Sequence, residues 1–370
     1  MTRPPARRAA ANPPGTAAGA TPPETTGEQT RPPSIMDVAA LANVSYQTVS
    51  RVLNGHPSVR PSTRLAVQGA IEQLGYRPSN AARTLVTGRS RTLGVLTMDV
   101  NDSDGLTPLY GIERSARELG YFVGIGALEA VDRTSVHNAI GRLTEQSVAG
   151  VLVIAPIERA SDVLDSLPAD LPVVAVEGDT TRDIATAGID QVAGARLATQ
   201  HLLDAGHESV FHVCGPPDWM QTQDRVAGWR AALEAAGAEV PTLLPGDWSA
   251  KSGYEAGQVL ARVRDLTAVF AGNDQMALGL MLALSERGVR VPRDVSVVGF
   301  DDGADVPYYN PPLTTVRQDF EAVGRRAIEM LVEQIRNGRR SSEHALIDPE
   351  LIVRSSTAEP RRRRSATTNR

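Results

Sequence analysis

The chain has 370 residues, 41% apolar and 22% charged, enough for more than one buried core. Its net charge is −5, yet residues 1–91 hold 11 basic and 4 acidic side chains and residues 360–370 hold five arginines, so the stretch between them is strongly acidic. No apolar run approaches the roughly 20 residues of a membrane-spanning helix, and the single cysteine, Cys214, excludes an intrachain disulfide and suits a reducing cytoplasm.

Residues 1–33 are rich in Pro, Ala and Thr, lack an apolar signal core and read as a disordered tail rather than a leader. A first helix follows, with Ser34 placed as its N-cap and Asp37 three residues later. Val38, Ala39, Leu41 and Ala42 form its expected apolar stripe. Asn43-Val44 makes a turn, and Ser45 caps a second helix that runs to about Leu53 with Val49, Val52 and Leu53 inward. Tyr46, Gln47, Ser50 and Arg51 stay outside, with Gln47 and Arg51 four apart on one face.

That is the layout of a helix-turn-helix, whose second helix reaches base edges from its N-terminal residues. Gln can bond an adenine edge bidentately and Arg a guanine edge, each worth about 1–3 kcal/mol of base discrimination. The competing reading is a helical hairpin with an ordinary polar surface. A third helix opens near Pro61, repeats Val67, Ala70, Ile71 and Leu74 at helical spacing, and ends at Gly75. The segment 79–85 is too short to hold a helix alone, so it orders only against a partner.

From Thr92 onward apolar runs alternate with helical stretches. Strands are expected at 93–97, 122–125, 150–154, 173–176, 209–213, 268–271 and 296–300, with a helix at about 109–119. Short β-rich runs separated by helices indicate parallel sheets covered on both faces, and there is material for two such units. Cys214 ends the apolar run 210–214 and reads as a small buried hydrophobe. Asn273 and Asp301 follow strands, and Arg225 stands on a helix carrying Val226, Trp229 and Leu233. Each has a purely structural reading as a cap or surface charge. Asp301-Asp302 suggests a glycosidase pair, but sequence neighbours rarely face each other across a substrate. There is no Gly-x-Gly-x-x-Gly fingerprint, Walker loop or metal-spaced Cys/His cluster, so neither an enzyme nor a cofactor is expected.

Several longer motifs stand in a fixed order: Asp37-Val38-Ala39, 44–52, 246–250, 273–279, 294–299, 311–315 and Gln318-Asp319-Phe320. In them, residues 35 to about 357 resemble the LacI/GalR family of bacterial transcription regulators. The resemblance implies an all-α helix-turn-helix head at 34–78 and a hinge helix and linker at 79–91. It implies an α/β periplasmic-binding-protein-like core at 92–358, made of two doubly wound parallel-sheet subdomains. These would be 92–189 with 318–347, and 190–316 with 348–358, joined by crossovers near 189, 317 and 347. Residues 359–370 would be a basic disordered tail.

The resemblance further assigns DNA contacts to Ser45, Tyr46, Gln47, Ser50 and Arg51, the phosphate backbone to Asn54, and a minor-groove wedge to Leu85. It assigns effector binding to Arg225, Trp248, Asn273, Asp301, Gln318 and Phe320, with Trp248 offering an apolar face to a sugar ring. Met98, Ile154, Ile189 and Glu177 depart from the polar or aromatic groups and the aspartate that the family's sugar pocket presents. The implied protein is a cytoplasmic, homodimeric repressor, released from a near-palindromic operator by a galactoside-like inducer. A corepressor-dependent regulator that responds to a nucleobase or other small metabolite is the alternative.

Overall fold

The computed structural model describes residues 31, 33–53, 55–76, 90–98, 107–128, 133–154, 164 and 167–361. Asn54, Leu85, the expected hinge at 79–85 and most of both expected tails lie outside them. The chain divides into two compact units at 79/80, each with its own core.

The first unit contains helices α1 (Ile35–Leu41), α2 (Tyr46–Leu53) and α3 (Pro61–Leu74). A capping box starts α1: Ser34 N donates to Asp37 Oδ2 at 2.8 Å, and Asp37 N reaches Ser34 Oγ at 3.4 Å. Asn43 adopts φ +51°, a left-handed conformation that asparagine tolerates, and the chain turns there into α2. Gly75 closes α3 in the same way, at φ +59°. Val38, Ala39, Val49, Val52, Val67 and Ala70 are buried together, with Ile35 and Ala42 packed on them. Leu41 corrects the expected stripe, being 45% exposed. At roughly 100° per residue it falls outside the arc through 35, 38, 39 and 42, and Ile35 fills the place instead.

The second unit contains two six-stranded sheets. Sheet 1 has the order β11-β5-β4-β3-β1-β2 and is parallel throughout. Its strands are β1 (Thr92–Met98), β2 (Phe122–Leu128), β3 (Gly150–Ile154), β4 (Val173–Val176), β5 (Thr186–Ile189) and β11 (His344–Ile347). Sheet 2 has the order β12-β10-β9-β8-β6-β7, with only β12 antiparallel. It is built from β6 (Phe211–Cys214), β7 (Leu244–Pro245), β8 (Ala268–Ala271), β9 (Ser296–Asp301), β10 (Thr314–Arg317) and β12 (Glu350–Ile352). The chain therefore changes sheet three times, after β5, β10 and β11.

Strands β3, β4 and β8 are buried along their whole length, as continuous apolar runs in a covered parallel sheet must be. The expected strand at 209–213 begins at Phe211 instead, and the Val210 carbonyl accepts the Trp229 indole N–H at 2.8 Å. The helices of this unit are α4 (Thr107–Glu118), α5 (Arg133–Glu145), α6 (Gln191–Asp204), α7 (Met220–Ala235), α8 (Ala250–Leu260), α9 (Asp274–Glu286) and α10 (Phe320–Asn337). Helix α10 packs on α4 and sheet 1, while α6 and α7 pack together beside sheet 2. Among the described residues no helix is long and apolar enough to cross a membrane.

Helices α8 and α9 touch at backbone distance. A Cβ at Gly279 would overlap the Ala250 carbonyl, and one at Gly253 would overlap the Met276 backbone. Gly279→Ala is therefore expected to destabilise the core by about 1–3 kcal/mol through overpacking. Thermal melting is the check, with a midpoint lower by several degrees expected.

Candidate functional site

In parallel α/β sheets, ligands bind beyond the carboxyl ends of the strands. Polar residues from both sheets meet at those ends. In sheet 1, Glu177 follows β4, and Gln191 opens α6 just after β5. In sheet 2, Asn273 follows β8, Asp301 closes β9 and Gln318 follows β10.

Arg225, on the second turn of α7, is only 5% exposed. Its Nε donates to Gln191 Oε1 at 2.9 Å, Nη1 to the Gly272 carbonyl, and Nη2 to Asp301 Oδ1 at 3.5 Å. The guanidinium lies 3.8 Å from the Phe300 ring centre and 5.3 Å from that of Trp248. Gln318 Nε2 donates to Asp301 Oδ1 at 2.7 Å. Gln191 Nε2 donates to Gln318 Oε1 at 2.8 Å and to Glu177 Oε2 at 3.3 Å. Ile189 N donates to Glu177 Oε1 at 2.9 Å. A continuous chain of hydrogen bonds thus runs from Glu177 beside sheet 1 to Asp301 in sheet 2, with Arg225 braced against both ends of the Gln191–Gln318–Asp301 segment.

Asp301 and Asp302 both have positive φ, +111° and +57°, and their carboxylates part company. Asp301 turns to Gln318 and Arg225. Asp302 pairs with Arg317 Nε at 2.7 Å and Arg354 Nη2 at 2.6 Å. The neighbouring carboxylates do not form a facing pair.

Asn273 caps α9, its Oδ1 accepting from Met276 N at 2.8 Å, and its Nδ2 donates to the Trp248 carbonyl at 3.0 Å. Trp248 is largely buried in this structure. The residue is 8% exposed, its ring is backed by Gly215, and Trp219 meets it edge-on with centres 5.8 Å apart. Its left-handed φ of +70° and the bond from Asn273 hold it in this covered position. Phe320 opens α10 and packs, half-buried, on the core of sheet 1. Of the six expected effector residues, Arg225, Asp301 and Gln318 form one hydrogen-bonded cluster. Trp248 lies against it, and Asn273 joins through the Trp248 backbone.

Sequence reasoning missed Gln191 as a member of the cluster. The available signal was its place directly after a crossover strand. Ile154 and Ile189 are buried in sheet 1, and the Met98 side chain lies outside the described residues. Cys214 is buried, and burial pushes its thiol pKa up, as suits an inert small side chain. Among the described residues no three His, Cys, Asp or Glu side chains are grouped to hold a metal.

In the first unit, Ser45, Tyr46, Gln47 and Arg51 are exposed, with Tyr46 at 52%, and Ser50 is half-buried. Ser45 Oγ accepts from Thr48 N at 3.2 Å and so caps α2. The α2 side chains that the core does not use therefore include the amide and guanidinium that suit base edges.

Comparison with known proteins agrees with both units. Residues 34–79 match the lacI family of bacterial regulatory proteins, and residues 199–357 match the periplasmic binding protein-like domain. The HTH-type transcriptional regulator CelR of Thermobifida fusca is 36% identical over 349 residues, 89% of this chain and 99% of that protein. The HTH-type transcriptional repressor PurR of Salmonella paratyphi B is 33% identical over 334 residues, 88% and 97% of the two chains. The crystal structure of a lac repressor dimer bound to operator and the anti-inducer ONPF superposes with a TM-score of 0.79. It is 32% identical and covers 89% of this chain and all of that one. The chain belongs to the LacI family of DNA-binding transcription regulators.

Burial pushes the Glu177 carboxyl up to about 7, while the Ile189 N–H and the Gln191 amide hold it down less strongly. Because this folded value exceeds the unfolded one near 4.3, the folded state binds the extra proton between those pH values. The contribution is therefore full below about pH 4 and lost as pH rises through 7. Glu177→Gln should remove that slope. Chemical denaturation at pH 5 and pH 8 is expected to show the wild type losing about 1–3 kcal/mol more than the variant over that interval.

Proposed function

We propose that this chain is a repressor of carbohydrate-utilisation genes that leaves its operator when a neutral sugar binds the Arg225–Asp301–Gln318 cluster. The observation that carries this reading is the hydrogen-bond chain Glu177–Gln191–Gln318–Asp301, which joins strand ends of both sheets. A ligand that competes for these bonds changes how the two sheets are held. Carboxylate, amide and guanidinium side by side suit adjacent sugar hydroxyls, which donate and accept alike.

Two heads in a homodimer would read a near-palindromic operator through Ser45, Tyr46, Gln47, Ser50 and Arg51. Asn54 would lie on the phosphate backbone and Leu85 in the minor groove at the centre. The dimer bound to operator in the related lac repressor structure supports this arrangement. Trp248, Asn273 and Phe320 would complete the sugar site. Sugar binding would separate the two hinge segments and melt 79–85, a coupling of about 1–3 kcal/mol that acts in both directions. The protein would work in the cytoplasm, where its DNA lies.

A mobility-shift titration on the DNA upstream of its gene, with sugars and nucleobases added in turn, tests the reading. Release by a sugar is the expected result, whereas tighter binding with a nucleobase would replace it with corepression. Asp301→Ala should raise the sugar concentration for half-release at least tenfold; unchanged release would remove Asp301 from the site. Gln47→Ala should cost about 1–3 kcal/mol on the operator and less on unrelated DNA. An equal loss on both would show that Gln47 reads no base.

A further inference from the structure

The turn that carries Asp301 has a fastening that the cluster does not supply. Asp301 has φ +111° and Asp302 +57°, and only the second angle lies in the left-handed well that aspartate tolerates. A residue with a Cβ keeps an angle such as +111° only where its surroundings over-determine it. Asp301 bonds Gln318 and Arg225, and Asp302 pairs with Arg317 and Arg354. The residue after them, Gly303, donates its N–H to Asp274 Oδ2 at 2.9 Å.

Asp274 is the first residue of α9 and is 3% exposed. Its ordinary reading is an acid in the first turn of a helix, favoured there by the helix dipole. The carboxyl does more than that. Its Oδ1 accepts from the Thr315 hydroxyl at 2.6 Å while Oδ2 takes the Gly303 N–H. Thr315 on β10 stands opposite Gly299 on β9, and a Cβ at Gly299 would overlap Asp274 Oδ1. The side chain therefore lies across both strands, in room that the glycine leaves. These are the strands that end in Asp301 and lead to Gln318. Burial, with the Asp302 charge adding to it, pushes the Asp274 carboxyl well above the usual carboxylate range, against the Thr315 and Gly303 hydrogen bonds. A neutral carboxyl keeps both bonds, since one oxygen still accepts from Gly303 and the other donates to Thr315.

We propose that Asp274 is a positioning residue: through Gly303 and Thr315 it fixes the turn at 301–303 and so sets the Asp301 carboxylate against Gln318 and Arg225. It acts through Asp301 and has no contact of its own with the ligand. Its neighbour Asn273 holds the Trp248 carbonyl, so the start of α9 fastens both the Trp248 backbone and the Asp301 turn. The consequence for ligand binding rests on the reading of Asp301 as an effector contact. The placement of Asp301 does not, since it belongs to the protein without ligand.

Crystal structures of the full chain without ligand, carrying Asp274→Ala or Asp274→Asn, test the placement. With alanine the Asp301 carboxylate is expected to leave Gln318 Nε2. Asparagine, whose amide accepts from Gly303 and donates to Thr315, should keep it there. Thr315→Val removes one of the two bonds at nearly constant shape, and should lengthen the same contact even where the alanine variant does not fold. Asp301 left in place by every folded alanine or valine variant, or displaced as far by asparagine as by alanine, would overturn the proposal. Isothermal titration with cellobiose, lactose and hypoxanthine carries the test to function. Asp274→Ala should weaken binding of a sugar at least fivefold and Asp274→Asn less than twofold. Adding Asp274→Ala to Asp301→Ala should cost nothing further, because one residue acts through the other. An equal loss in both backgrounds would overturn that route. Binding of no sugar, or undiminished binding by Asp301→Ala, would instead overturn the sugar reading, and the structures would still decide the placement.

Discussion

A guanidinium withdrawn from water has to be surrounded by acceptors, and Arg225 organises the larger unit by that requirement. Its partners come from separate places in the chain: the Gly272 carbonyl after β8, the Asp301 carboxylate at the end of β9, and the Gln191 amide after β5. The Phe300 ring supplies a π face at 3.8 Å. Each of these groups stands at the carboxyl end of a strand or next to one, so the buried charge ties those ends together. The same low-dielectric surroundings hold His212 neutral. It stacks on Phe270 at 4.5 Å and donates from Nδ1 to the Phe270 carbonyl, and burial pushes its pKa down to about 4.

The link between the two sheets is made mainly of amides, and this has a physical consequence. Gln191 and Gln318 each donate and accept, so they pass hydrogen bonding from Glu177 to Asp301 without adding charge to a buried place. A carboxylate at either amide position would need its own counter-ion. Glu177 closes the chain at the sheet 1 end, where burial favours its neutral form. An assembly of this kind is held by hydrogen bonds between neutral amides more than by strong ion pairs. Asp302 stands apart. It is spent on Arg317 and Arg354, fastening β10 and the segment after β12 to the end of β9.

Much of the fold was legible in local patterns. The capping box at Ser34 and Asp37, the left-handed turn at Asn43 and the Gly75 stop depend on residues within a few positions of one another. The three-helix head could therefore be read along the chain. Continuous apolar runs marked β3, β4 and β8 for the same reason. The short strands at 186–189, 244–245, 314–317, 344–347 and 350–352 were not marked as strands. They are two to four residues long, and β11 and β12, at sheet edges, are only partly buried, so their hydrophobic signal is weak. Leu41 shows the limit within one helix, since an apolar residue near the stripe was exposed by a shift of arc.

The sequence by itself determined the kind of protein: a DNA-binding helix-turn-helix head joined to a doubly wound core, with Arg225, Asp301 and Gln318 as polar candidates at strand ends. Only the tertiary structure decided that Gln191 and Glu177 complete their network, that Trp248 is covered, and that Asp301 and Asp302 point to different partners. The division has one physical cause. Helix caps, turns and strand runs are settled by neighbours along the chain. The meeting of residues 177, 191, 225, 301 and 318 is settled by strand order and by three crossings between sheets, and no residue in that set carries a local mark of the others.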